Sequence, residues 1–298
     1  MSYFGSMVAL ITPMHEDSSI DYTALKTLAA WHIECGTQGI MVAGSTGEAA
    51  TLNPNERIHL IQTLASVIKG KIPLIAGCGT PSTQETITLT QAAKKVGANV
   101  ALIVTPYYNK PTQEGLYLHY KTIAKACDIP IILYNVPSRT QVDLLPETVA
   151  RLSKIKSIVG IKEAVGQLKR AREIRQLCGT DFLIYSGNDQ TALDWMLNHC
   201  ADGVISVTAN VAPFLMQKMC EAALSGMKDK AIQCNDRLAP LHQDLFVETN
   251  PIPTKWALYK MGKIKNAIRL PLTPLSEQYQ QTVLKAMYHA HLFDEEKT

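Results

Sequence analysis

Eight short apolar runs, rich in β-branched residues, divide the first two-thirds of the chain at a nearly even beat. They occupy residues 7–12, 39–43, 73–77, 100–105, 130–135, 158–162, 182–186 and 203–207, with starts about 20 to 35 residues apart. That spacing leaves room for one helix after each run. The runs are continuous instead of alternating, as expected of parallel strands covered on both faces. Eight strand–helix steps in about 200 residues predict an α/β fold, a closed (β/α)8 TIM barrel, with a doubly wound open sheet as the alternative. No dinucleotide fingerprint follows the first run.

Helix signals fill the gaps. Asp21 can cap a helix running through Leu25, Leu28, Ala29 and His32 to a stop at Gly36. Asn53-Pro54-Asn55-Glu56 opens another, with Pro54 in its first turn. Ser82 or Thr83 can start a helix that ends at Gly97, and Thr112 or Gln113 one that ends before Asp128. Beyond about residue 211 the pattern stays helical, punctuated by Pro251, Pro253, Pro271 and Pro274. No linker or repeat intervenes. Residues 1–298 therefore read as a single domain, a barrel core to about residue 210 with appended C-terminal helices over about 211–298.

Composition removes several partners. A formal net charge of +3 on 298 residues, without a basic tail or like-charge block, indicates neither nucleic acid nor a membrane. The acidic Asp294-Glu295-Glu296 reads as a solvated C-terminus. Seven scattered cysteines without a Cys-x-x-Cys read as reduced thiols of a cytoplasmic protein. The start lacks a basic residue before Lys26, so no secretory signal is expected.

A barrel places its reactive side chains at the C-terminal ends of its strands, which tests the motifs sharply. The second run ends in Gly44-Ser45-Thr46-Gly47-Glu48, the fourth in Thr105-Pro106-Tyr107-Tyr108-Asn109, the fifth in Tyr134-Asn135-Val136-Pro137-Ser138-Arg139. The sixth ends in Lys162-Glu163 and the seventh in Ser186-Gly187-Asn188-Asp189. One rim thus gathers a lysine, tyrosines, hydroxyls and an arginine, an outfit for amine chemistry.

Lys162 closes an apolar strand, where burial disfavours the ammonium and frees a nucleophilic amine. The usual use of such an amine is a Schiff base with a carbonyl substrate; the bland alternative is a lysine that snorkels to water. Tyr134, on the neighbouring strand, is placed to shuttle protons, or is a core tyrosine with its hydroxyl satisfied. Thr46 and Tyr108 can extend the relay toward solvent. The loop around Ser45 and Thr46 can offer donors to a carboxylate, or be a turn that needs positive φ at Gly44 and Gly47. Arg139 presents a planar fork suited to a second carboxylate, or forms a surface ion pair. A phosphate loop is absent, as is His-Glu-x-x-His, so neither a nucleotide nor a metal is expected.

These segments resemble the dihydrodipicolinate synthases, members of the pyruvate-dependent class I aldolases. The resemblance also takes in Gly160-Ile161-Lys162-Glu163-Ala164, Gly203-Val204-Ile205-Ser206-Val207-Thr208 and Glu248-Thr249-Asn250-Pro251-Ile252-Pro253-Thr254-Lys255. It implies that Lys162 forms the Schiff base with pyruvate and that Tyr134 donates and accepts protons. Ser45, Thr46 and Tyr108 would complete a relay, with Tyr108 inserted from a neighbouring subunit. Thr46, Ile205 and Gly187 would bind substrate, and Arg139 would receive the carboxylate of aspartate β-semialdehyde. No cofactor is implied, and the assembly would be a homotetramer built as a dimer of dimers.

The sequence departs from the family at two places. Serine stands at position 45 where threonine is frequent, and keeps the hydroxyl. In the lysine effector site of some members, Glu85 and Tyr107 fit, but Ala49, Pro54, Arg57 and Pro81 replace polar ligands. Losing polar partners and adding a cation opposes a cationic amino acid. Inhibition by lysine is therefore expected to be weak or absent, and strong inhibition at sub-millimolar lysine in a coupled assay would contradict this. The rivals are an N-acetylneuraminate lyase-like aldolase, whose pattern would not place an arginine at 139, and a non-catalytic barrel that binds a small acid.

Overall fold

Closure is decided where the first strand meets the last. A computed structural model describes residues 4–293; Met1, Ser2 and Tyr3 and the acidic Asp294, Glu295 and Glu296 lie outside the described residues. Its strands are β1 (Gly5–Ala9), β2 (Gly39–Val42), β3 (Leu74–Gly77), β4 (Val100–Val104), β5 (Ile131–Asn135), β6 (Ile158–Glu163), β7 (Leu183–Ser186) and β8 (Gly203–Ser206). Each pairs in parallel with the next, and β1 pairs with both β2 and β8. The sheet is a closed barrel, and the open-sheet alternative is excluded.

The helices begin where local chemistry says they should. They are α1 (Tyr22–Glu34), α2 (Pro54–Ile68), α3 (Thr83–Lys95), α4 (Gln113–Ala126), α5 (Pro137–Thr140), α6 (Pro146–Leu152), α7 (Leu168–Cys178), α8 (Asp189–Leu197), α9 (Pro213–Leu224), α10 (Lys228–Asp244), α11 (Ile252–Lys260) and α12 (Glu277–His289). Asp21, Ser82 and Thr112 each accept a first-turn N–H of α1, α3 and α4. Asn53 and Glu56 form a reciprocal capping box on α2. Such caps contribute about 1 kcal/mol apiece. Helix α9 packs on α8 and β1 and completes the outer ring; α10 lies against α9, and α12 against α10 and α11.

Residues buried on the two faces of each strand alternate beneath the continuous apolar runs. Met7, Met41, Ile75, Val100, Leu102, Ile132, Tyr134, Tyr185 and Ile205 fill the bore, while Val8, Ile40, Leu74, Ala101, Leu133, Ile161 and Val204 pack against the helices. The first run was expected at 7–12, yet pairing covers 5–9. Asn210 explains the difference: its amide donates to the carbonyl of Ala9 and its carbonyl accepts from the N–H of Ile11. The Leu10 N–H makes the last bond to β2, at the Met41 carbonyl, and Ile11 and Thr12 thereby leave the ladder while staying buried.

Two helix histidines are sealed beneath this shell. The Nδ1 of His32 lies 3.0 Å from the Thr37 hydroxyl and that of His119 2.8 Å from the Thr83 hydroxyl. Desolvation, aided by nearby Lys263, pulls His32 down to about 3, and desolvation alone pulls His119 to about 4. The unfolded chain takes up these protons near pH 6.5 while the fold refuses them, so stability present above that pH is lost as pH falls. At pH 5 each histidine should cost about 2 kcal/mol, the loss continuing toward the folded values. Melting temperatures from pH 7.5 to 5 check this; His119→Gln should flatten the slope, and an unchanged slope would refute the assignment.

Candidate active site

The C-terminal ends of β2, β5, β6 and β7 surround a cavity of about 280 Å³. Lys162 lines it with Ser45, Thr46, Tyr134, Arg139 and Gly187. Lys162 is 5% exposed and Tyr134 7%. The two are direct register partners on β5 and β6, so both turn into the bore, and Nζ lies 4.6 Å from the centre of the Tyr134 ring. Lys162 makes no ion pair among the described residues. The snorkelling alternative fails.

Gly187 makes room for that amine. A Cβ there would stand 3.1 Å from Cε of Lys162 and 2.8 Å from Cβ of Ala164, so even alanine would press on the lysine stem. The glycines of the β2 loop act differently from the turn considered above. Positive φ falls on Ala43 and Glu48, not on Gly44 or Gly47. A Cβ at Gly44 would collide with the Met41 side chain, and one at Gly47 would sit 3.0 Å from the Leu10 carbonyl. Close packing, not handedness, selects them.

Thr46 is buried, and its hydroxyl accepts a hydrogen bond from the Asn250 amide at 2.9 Å. An accepting hydroxyl keeps its own proton to donate, as a carboxylate requires. Arg139, on α5, forms no ion pair among the described residues; its Nη2 donates to the Asn250 carbonyl at 3.0 Å. Ile205 lies in the bore beside Tyr134 and does not line the cavity. Tyr108 is 94% exposed at φ 73°, and its own chain does not bring it to Lys162.

A second cavity of about 320 Å³ shares Met41, Ser45, Tyr134, Val136, Arg139 and Asn250 with the first. Ala49, Arg57 and Tyr107 line its far end, and the Arg57 guanidinium donates to the Ala49 carbonyl. Glu48 borders this cavity, but its carboxylate is committed: it pairs with Lys255 at 2.6 Å and accepts the N–H of Arg269.

Several wall residues escaped the sequence reading. Asn250, His242 and Phe246 come from the C-terminal helical region, and Ser138, Asn188 and Gln190 from loops and helix starts. Asn250 stands just before Pro251, and its burial at the rim is visible only in the fold. Burial lowers the His242 imidazole, partly opposed by Asp189, and its Nδ1 meets the Thr208 hydroxyl at 2.9 Å.

Comparison with known proteins identifies the family and agrees with the fold. Residues 2–290 match the Dihydrodipicolinate synthetase family. The 4-hydroxy-tetrahydrodipicolinate synthase of Alcanivorax borkumensis is 56% identical over 290 residues, covering 97% of this chain and 98% of that protein. The namesake from Pseudomonas aeruginosa is 53% identical, covering 95% and 97%. A solved structure of the chloride-inhibited dihydrodipicolinate synthase of Acinetobacter baumannii, complexed with pyruvate, superposes with a TM-score of 0.96. Its identity is 50%, covering 98% of this chain and 100% of that one. With the closed barrel and the lysine inside its mouth, these matches place the chain in the dihydrodipicolinate synthetase family.

Proposed function

We propose that this chain condenses pyruvate with L-aspartate β-semialdehyde, through a Schiff base on Lys162, to give hydroxy-tetrahydrodipicolinate for the diaminopimelate route to lysine. The observation that carries the reading is a lysine without an anionic partner among the described residues, buried beside a tyrosine at the floor of an open cavity. Attack of its amine on the keto carbon gives a carbinolamine, and loss of water gives the imine. Removal of a methyl proton leaves an enamine, whose carbon attacks the aldehyde. The amino group of the second substrate then displaces Lys162 as the ring closes.

Each stage moves a proton, and Tyr134 is the acid–base group at hand. Thr46 and Ser45 supply hydroxyls for the keto-acid carboxylate and the relay, with Gly187 leaving room for the lysine stem and Ile205 packed in the bore outside the cavity wall. Arg139, without a carboxylate partner among the described residues, suits the carboxylate of the aldehyde substrate at the entrance. Tyr108 would enter the relay of a neighbouring copy, which supports a homotetramer built from dimers; its exposure fits that use. The seven cysteines are free, as suits a reducing cytoplasm, and no described helix is long and apolar enough to cross a membrane.

Borohydride trapping tests the proposal. A mass increase on the Lys162 peptide with pyruvate, and not without it, is the expected result. Labelling elsewhere, or turnover of sialic acid in preference to aspartate semialdehyde, would overturn it.

A further inference from the structure

Strand β6 holds one residue more than β5 between their first matched pairs. Ile131 lies opposite Ile158, yet Ile132 lies opposite Gly160, so Val159 is accommodated as a bulge. Unbroken pairing from Ile131 would have set Tyr134 against Ile161, whose side chain packs outward among the helices. The bulge instead sets Tyr134 against Lys162 and Asn135 against Glu163. Register partners on neighbouring strands share a face, and a one-residue slip reverses it. The inward lysine–tyrosine pair thus depends on an irregular alignment that leaves a ladder position unpaired.

Something must favour this alignment over its regular rival. On the outer face, one residue beyond the reactive pair, the Asn135 amide donates to both oxygens of Glu163 at 3.2 and 3.0 Å and to Asp143 at 2.9 Å. Its carbonyl accepts the N–H of Leu144 at 2.9 Å. Arg170, in the first turn of α7, donates through Nε to Glu163 at 2.9 Å and through Nη1 and Nη2 to Asp143 at 3.0 and 2.7 Å. The N–H of Val165 completes the shell of Glu163 at 2.8 Å. Glu163 is fully buried and the Arg170 side chain 12% exposed. Buried ion pairs add little net stability, and fixing register is their best-attested use.

We propose that Asn135, Glu163, Arg170 and Asp143 are positioning residues that lock β5 and β6 in the bulged register, holding Tyr134 against Lys162. This rests on the catalytic reading of those two side chains. None of the four lines the cavity, so they act through alignment alone. A slip of the reactive pair by about 1 Å would cost on the order of 100-fold in rate.

The test is steady-state kinetics and pyruvate–borohydride trapping on Arg170→Ala, Arg170→Lys and Glu163→Gln, each assayed well below its melting temperature. Arg170→Ala should lower kcat roughly 10- to 100-fold, change KM for pyruvate less than about 3-fold, and slow trapping in parallel. Arg170→Lys, which keeps one charged donor, should recover part of the rate. A merely structural role would lower the melting temperature while kcat per trapped site stays at the wild-type value, and that overturns the lock. If Arg170→Ala does not fold, Glu163→Gln decides, with a smaller loss of kcat at an unchanged KM expected and full activity refuting. Failure of wild-type enzyme to trap on Lys162 would instead sink the catalytic reading.

Discussion

Replacing Lys162 with alanine is expected to lower kcat/KM for the condensation by on the order of 10⁴-fold or more and to abolish borohydride trapping. Among the described residues the other buried lysine is Lys255, and its ammonium is held by Glu48 at 2.6 Å, with both side chains at most 3% exposed. Stability should not fall in step, because the substitution removes a polar group from the bore instead of orphaning one. Tyr134→Phe keeps the ring and loses the proton carrier, so it should cost roughly 100-fold while trapping survives more slowly. Retention of more than about 1% of activity in Lys162→Ala would exclude covalent catalysis at this position.

Lys255→Met should destabilise the fold by about 3 to 5 kcal/mol, a larger change than surface substitutions give. Desolvation pulls the Lys255 ammonium below its ordinary range while Glu48 pulls it back. Removing the cation leaves Glu48 a buried carboxylate whose remaining hydrogen-bond donor among the described residues is the Arg269 N–H. The pair also ties α11 to the loop that carries Ser45 and Thr46, so activity should fall with stability. Urea unfolding should show a lower midpoint at an unchanged slope, and Glu48→Gln with Lys255→Met should recover part of the loss. A loss below about 1 kcal/mol would mean that water reaches the pair.

The strands were legible because a parallel sheet covered on both faces writes itself as contiguous apolar runs. Helix starts were legible because Asp21, Asn53, Ser82 and Thr112 act within one turn. The inward face of β6 was not legible, since a continuous run carries no parity and nothing in Ser157-Ile158-Val159-Gly160 announces a bulge. Asn250 was missed for a related reason: its bond to Thr46 joins positions 204 residues apart, and no local pattern reports which helix returns to the rim. Tyr108 is a rim motif whose side chain leaves its own barrel, which the resemblance assigns to a neighbouring copy and which no pattern within one chain reports.

Nothing can pass through the middle of this barrel. Met7, Ile75, Val100, Ile132 and Ile205 fill the bore, with Tyr185 level with Lys162 on the next strand, none of these six more than 1% exposed. Traffic to the amine is therefore confined to the rim side. In the proposed condensation both substrates would arrive, and the ring product depart, by that one side.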